Sequence, residues 1–186
     1  MTLFEMKEKI LALVEELDPQ SAFLTEDPRM AAKLCHVIDQ VQLELARMKK
    51  LPRFLELPVQ AGELVDFAAI SRVCGAQVYQ LGTVTGVNCI HRAEGTVLQM
   101  LESGVARIEC YVYPSRITGQ TEDGFLLELS EDCLQILPYG AAADLLKSDP
   151  AANYGKVYAD RYETMLRRLD PRYRLGSIFV EGGVKL

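Results

Sequence analysis

The chain has 186 residues, of which 49% are hydrophobic and 25% charged, with a formal net charge of −6. That balance belongs to a globular protein able to bury one core, or a core plus a smaller layer. It excludes a disordered chain, and no apolar run approaches the roughly 20 residues that cross a bilayer.

Residues 2–17 predict a first helix, with Leu3, Met6, Ile10, Leu13, Val14 and Leu17 on one stripe. Thr2 and Glu5 have the spacing of a capping box, and Asp18-Pro19 ends the element. Charge alternates with apolar residues throughout, so the stretch does not read as a signal peptide, and an intracellular or virion location is expected. A second helix opens at Thr25-Glu26-Asp27-Pro28, where Thr25 or Asp27 suits the cap and Pro28 the first turn. Met30, Leu34, Ile38, Val41, Leu45 and Met48 make a near-heptad seam that must pack on another helix. Arg47, Lys49 and Lys50 suit its C-terminal dipole, and Pro52 stops it. His36 lies off the seam and reads as solvated.

From Arg53 the texture changes. Residues 54–59, 63–70, 76–81, 84–90, 95–101 and 105–113 are short apolar runs separated by turn residues. Gly75, Gly82, Gly86, Gly95 and Gly104 punctuate them, as in an antiparallel meander, sandwich or barrel. Ser71-Arg72-Val73 reads as a turn, and Phe125 to Leu129 as a last short strand. Ser130, followed by Glu131 and Asp132, caps a helix that runs to about Lys147 through the small-residue patch Gly140 to Ala143. Ser148-Asp149-Pro150 breaks it. A last helix over 152–169 aligns Tyr154, Val157, Tyr158, Arg161, Tyr162, Met165 and Leu169. Three tyrosines on one face imply half-buried packing with hydroxyls at the rim, with base stacking as the alternative. The tail YRLGSIFVEGGVKL has strand character over Ser177 to Glu181, and such a strand tends to pair with another sheet.

The charge is unevenly placed. Lys156, Arg161, Arg167, Arg168, Arg172 and Arg174 stand against Asp160, Glu163 and Asp170, so the acid excess lies in the residues before them. An acidic body argues against a nucleic-acid grip, while the basic end is either a solvated face or a dock for an acidic partner. Cys35, Cys74, Cys89, Cys110 and Cys133 are scattered without a CxxC, as expected of reduced thiols. With only His36 and His91 present, neither a metal set nor a cofactor motif is read. No catalytic set emerges. Cys89 and His91 would share a strand face, which leaves a small cytoplasmic Cys/His enzyme as an alternative reading beside a generic protein-interaction module.

The stretch from Glu109 to Leu169 carries a likeness. Tyr111-Val112-Tyr113-Pro114 leads to Arg116-Ile117-Thr118 and the acidic turn Glu122-Asp123. A capped helix follows with Leu137-Pro138-Tyr139, Ala141-Ala142 and Leu145-Leu146, then an Asp149 turn and a helix bearing Tyr158 and Tyr162-Glu163. This pattern resembles the head-to-tail connector (adaptor, or head completion) proteins of tailed bacteriophages and prophages, in the tail tubular protein A-like group. Val59 to Gly62, after Leu57-Pro58, departs from it and leaves the strand order of the β-rich part open.

The resemblance implies an α+β fold: a helical bundle built from both chain ends, an inserted antiparallel β-rich domain and an extended C-terminal tail. The expected division is an N-terminal helical pair over 1–52, a sandwich or barrel insert over 53–129, a C-terminal helical pair over 130–172 and an arm over 173–186. The implied role is structural rather than enzymatic. Twelve subunits commonly form a ring below the portal protein, extend the DNA channel and offer an attachment surface to a tail or nozzle/stopper protein. Double-stranded DNA would pass without sequence-specific binding, no cofactor is used, and the location is the virion head–tail junction, with the host cytoplasm during assembly. The interface residues expected on this reading are Tyr154, Tyr158, Arg161, Tyr162, Arg167, Arg168, Arg172, Ile178 and Val180.

Overall fold

The structure is a computed structural model that describes residues 1–15, 25, 28–92, 95–147 and 153–169. The fold is mixed α+β, with five helices and two small antiparallel sheets among these residues. Four helices share one core, formed by α1 (Leu3–Leu13), α2 (Pro28–Lys49), α4 (Glu131–Leu146) and α5 (Asn153–Leu169). Between α2 and α4 the chain builds β1 (Pro52–Val59), β2 (Leu64–Asp66), α3 (Phe67–Cys74), β3 (Val78–Thr85), β4 (Cys89–Arg92), β5 (Val97–Met100) and β6 (Gly104–Val112), around a second core.

The capping box forms as the sequence predicts. The Thr2 hydroxyl accepts from the Glu5 amide at 3.2 Å, and the Glu5 carboxylate accepts from the Thr2 amide at 2.8 Å. The helix is shorter than expected, because Glu15 takes a left-handed φ of 61° just after the Val14 cap. In α2 the buried face is wider than the predicted seam, adding Cys35, Asp39, Gln42 and Ala46. α4 is buried nearly all round and packs against α1, α2 and α5, as the central helix of a bundle must. Ser130 holds the N-cap backbone conformation there, but its side chain makes no capping hydrogen bond.

Two short predictions are corrected. Residues 63–70 are not one strand, and Ser71 to Val73 are not a turn: the chain leaves β2 and enters α3. Asp66 caps α3 by accepting from the Ala69 amide at 2.7 Å, and Gly75 ends it in the left-handed region at φ 69°. Phe125 to Leu129 form no strand, only a single bridge between Thr2 and Leu126. Their neighbour is the chain start, which turns helical at Leu3 and so offers no further ladder. Ile117, Leu127 and Leu129 pack in the helical core.

The sheets run β1-β6-β3 and β2-β5-β4, each antiparallel. β3 is one strand across Gly82, with register irregularities where two separate runs were expected. Both chain crossings between helices and sheets occur at one place. β1 begins at Pro52 opposite Tyr111 of β6, and the Val112 amide donates to the Leu51 carbonyl at 3.1 Å. The insert therefore leaves and rejoins the helical body through adjacent strands.

Candidate interaction surface

Of the expected interface residues, Arg172, Ile178 and Val180 lie outside the described residues. The other six are all on α5, and the structure divides them between two faces. Tyr158 and Tyr162 turn inward and pack on the helical core with Met165, Leu166 and Leu169. The Tyr158 hydroxyl donates to the Leu13 carbonyl at 2.8 Å, tying α5 to the end of α1. The Tyr162 hydroxyl donates to the Glu44 carboxylate of α2 at 2.7 Å. Burial, then that carboxylate, raises the Tyr162 phenol far above its ordinary range, so it stays a donor. Both tyrosines are packing residues with satisfied rims, and neither ring is open to stack a base.

The outward stripe is Tyr154, Val157, Arg161 and Arg168, spaced by three, four and seven residues along one side of α5. Tyr154 is 63% exposed and Val157 58%. The Arg161 guanidinium lies 4.3 Å from the centre of the Tyr139 ring on α4, and Tyr139 in turn lies 6.3 Å from Tyr158. That stacking fixes the direction of the guanidinium while its charge stays at the surface. Arg167 pairs one turn back with Glu163 at 3.7 Å, both largely exposed, so the pair adds little stability. The stripe thus offers two apolar residues and two cations on a rigid helix, an arrangement suited to an acidic partner with an apolar centre.

A second open surface is the outer face of the β1-β6-β3 sheet. Alternation puts Ala106, Ile108, Cys110 and Val112 inward, and Arg107, Glu109 and Tyr111 on the other side of β6. Phe54, 77% exposed, borders a cavity of about 330 Å3 with Glu56, Thr83, Thr85, Arg107 and Glu109. Arg107 pairs with Glu56 across the strands at 2.9 Å.

Between the two surfaces lies a polar joint that sequence patterns did not single out. Asp39, buried in α2, accepts from the Ile117 amide at 2.8 Å, from Gln42 at 3.0 Å and from Arg116 at 2.7 Å. Burial raises the Asp39 carboxyl, but the bonds from Arg116, Ile117 and Gln42 outweigh it and hold the group below the usual carboxylate range. Gln42 also donates to the Ser115 carbonyl at 2.9 Å. Nearby, Tyr79 donates to the Ala46 carbonyl at 2.9 Å, and Arg47 donates to the Tyr113 hydroxyl while lying over its ring. The end of α2 is thereby clamped to the returning chain after β6. The only signal in the sequence was a polar pair, Asp39 and Gln42, at helical spacing beside an apolar seam.

Cys89 and His91 share β4, opposite Met100 and Leu98, with His91 exposed and the thiol half-buried. Burial pushes the Cys89 thiol up, away from the thiolate that nucleophilic chemistry needs. Among the described residues there is no group of three His, Cys, Asp or Glu placed to hold a metal ion, and no helix long and apolar enough to cross a membrane. No family model and no curated protein matches the chain.

Proposed function

We propose that the chain is a structural virion subunit, a head-to-tail adaptor that assembles as a ring below a portal, extends the DNA channel and receives the tail. The observation that carries this reading is the α5 stripe, a rigid helical face of Tyr154, Val157, Arg161 and Arg168 left uncovered while the tyrosines beside it are consumed in packing. It is supported by the residue pattern from Glu109 to Leu169 that resembles connector proteins. An acid excess before Lys156 fits a channel through which DNA slides, because like charge disfavours adhesion to phosphates. The partners on this reading are further copies of the chain, the portal and a tail or nozzle/stopper protein.

The deciding experiment mixes the purified chain with the portal ring encoded beside its gene and follows the mixture by sedimentation and electron microscopy. The expected result is a ring of this protein stacked coaxially on the portal, with one copy per portal subunit. Failure of the folded chain to bind that ring at micromolar concentration would overturn the proposal. Removing Gly176 to Leu186, a stretch whose strand character suits pairing with another sheet, should leave the helical core intact and weaken this assembly.

A further inference from the structure

We infer that the outer face of the β1-β6-β3 sheet receives α5 of a second copy of this chain, with Arg161 on Glu109 and Tyr154 beside Phe54. The contact rests on the adaptor reading only for its closure into a ring. The sheet presents a carboxylate that its own chain has fixed in place without a cation. Leu81 pairs with Cys110 and Val84 with Ile108, so Gly82 and Thr83 together oppose Glu109 in a bulge. The Glu109 carboxylate reaches over β3 and accepts from the Thr83 amide at 3.2 Å, and it also accepts from the Tyr111 hydroxyl at 3.2 Å. It lies over Gly82, where an added Cβ would stand 2.6 Å from the carboxylate oxygen. Among the described residues no cation pairs with Glu109, whereas Arg107 beside it is taken by Glu56. Phe54 stands directly opposite Glu109 on β1, 77% exposed at the cavity of about 330 Å3.

The α5 stripe has the matching spacing. Tyr154 and Arg161 lie two turns apart on that helix, about 10 Å. Phe54 on β1 and the carboxylate over β3 are separated by two strand spacings, also about 10 Å. A helix laid across the strands therefore sets Tyr154 beside Phe54 while Arg161 meets Glu109, with Val157 over β6 between them. Arg161 keeps its stacking on Tyr139 and donates to the carboxylate from the edge of the guanidinium plane. Both charged groups are held before they meet, which lowers the ordering cost of the contact.

Charge selects the occupant. α5 carries Lys156, Arg161, Arg167 and Arg168 against Asp160 and Glu163, so two α5 helices face to face would set cations together. The partner of α5 must be acidic, and the chain itself has a net charge of −6. Each further copy brings one α5 stripe and one open sheet face, so neither face is left over. The two faces belong to different parts of the molecule, the helical body and the insert, so the contact runs head to tail. Contacts of that kind repeat from copy to copy and close as rings.

The test replaces Tyr154 by the photoreactive p-benzoylphenylalanine and mixes this full-length chain with isotope-labelled unaltered chain. The mixture is irradiated at millimolar concentration, alone and with the portal ring, and the cross-linked peptides are mapped. The expected cross-links join position 154 to the labelled chain within Pro52–Val59 or Gly104–Val112. Arg161→Glu and Glu109→Arg should each cut their yield about tenfold with unchanged circular dichroism, and the two together should restore it. That recovery is a result no loss of folding produces. Cross-links to the β2-β5-β4 sheet, to α5 of the other copy or to the portal alone would overturn the inference and leave the adaptor reading standing. Absence of any cross-link between copies, or a double variant weaker than either single one, would overturn it as well. Failure to bind the portal with these cross-links present would overturn the adaptor reading and leave the contact between copies in place.

Discussion

Asp39 ties together parts of the chain that lie far apart in sequence. Its carboxylate gathers donors from a segment 77 and 78 residues away and pins the chain after β6 to α2. Asp39→Ala leaves the Ile117 amide buried without an acceptor, which costs about 2–3 kcal/mol. Urea unfolding reads this directly, and a loss under about 0.5 kcal/mol would mean that water replaces the carboxylate. The same group sets a pH dependence. Its folded-state pKa is depressed, so its contribution is fully present above the unfolded value of about 3.9 and is lost as pH falls through the folded value. Asp39→Asn, which cannot titrate, should therefore lose less stability than the unaltered chain between about pH 5 and pH 2. Equal losses in the two proteins would show that Asp39 contributes nothing to acid sensitivity.

Between elements, α4 and α5 approach each other closely. A Cβ built at Gly140 would stand 2.7 Å from a ring carbon of Tyr162, whose hydroxyl is already fixed by Glu44. Gly140→Ala should gain helix propensity worth up to about 1 kcal/mol, yet destabilise overall by roughly 1–2 kcal/mol, because the ring must move. A higher melting temperature for this variant would refute the close-packing argument. α3 depends on its ends in the same way. Asp66→Ala removes the cap of an eight-residue helix and should cost about 1 kcal/mol, seen as faster amide exchange over Phe67–Cys74 and little change in α4. These ends were visible in the sequence as an Asp before and a Gly after the run. The apolar stretch between them, less than three turns long, also fits a buried strand, and its sheet neighbours argued for that.

At the scale of the molecule, the described residues join the two cores through the paired strands β1 and β6, Leu51, which packs on both, the Tyr79–Ala46 bond and the Asp39 joint. Because the Val112 amide bonds the Leu51 carbonyl, replacing residues 52–111 by a short flexible linker of about four residues should leave a helical body that still unfolds cooperatively. A molten product, with helical circular dichroism but no cooperative transition, would show that the insert is needed for the helices to pack. The α5 stripe makes the opposite prediction, of function lost with stability kept. Arg161→Glu with Arg168→Glu should change unfolding free energy by less than about 1 kcal/mol and weaken portal binding by at least about tenfold. Unchanged binding, with ring formation intact, would remove the stripe from the interface.

The sequence by itself determined the elements whose signals are local. The Thr2–Glu5 capping box, the apolar seam of α2 and the tyrosine face of α5 repeat within a turn or two, so neighbours along the chain suffice to read them. Only the tertiary structure decided what those faces meet. Tyr154 and Tyr158 differ by one helical turn, yet one is exposed and the other bonds Leu13, because α4 lies to one side of α5. The Asp39 joint and the packing of α3 on β1 and β3 likewise join residues far apart in the chain. Such contacts exist only after the backbone has closed long loops, and no short-range periodicity encodes them.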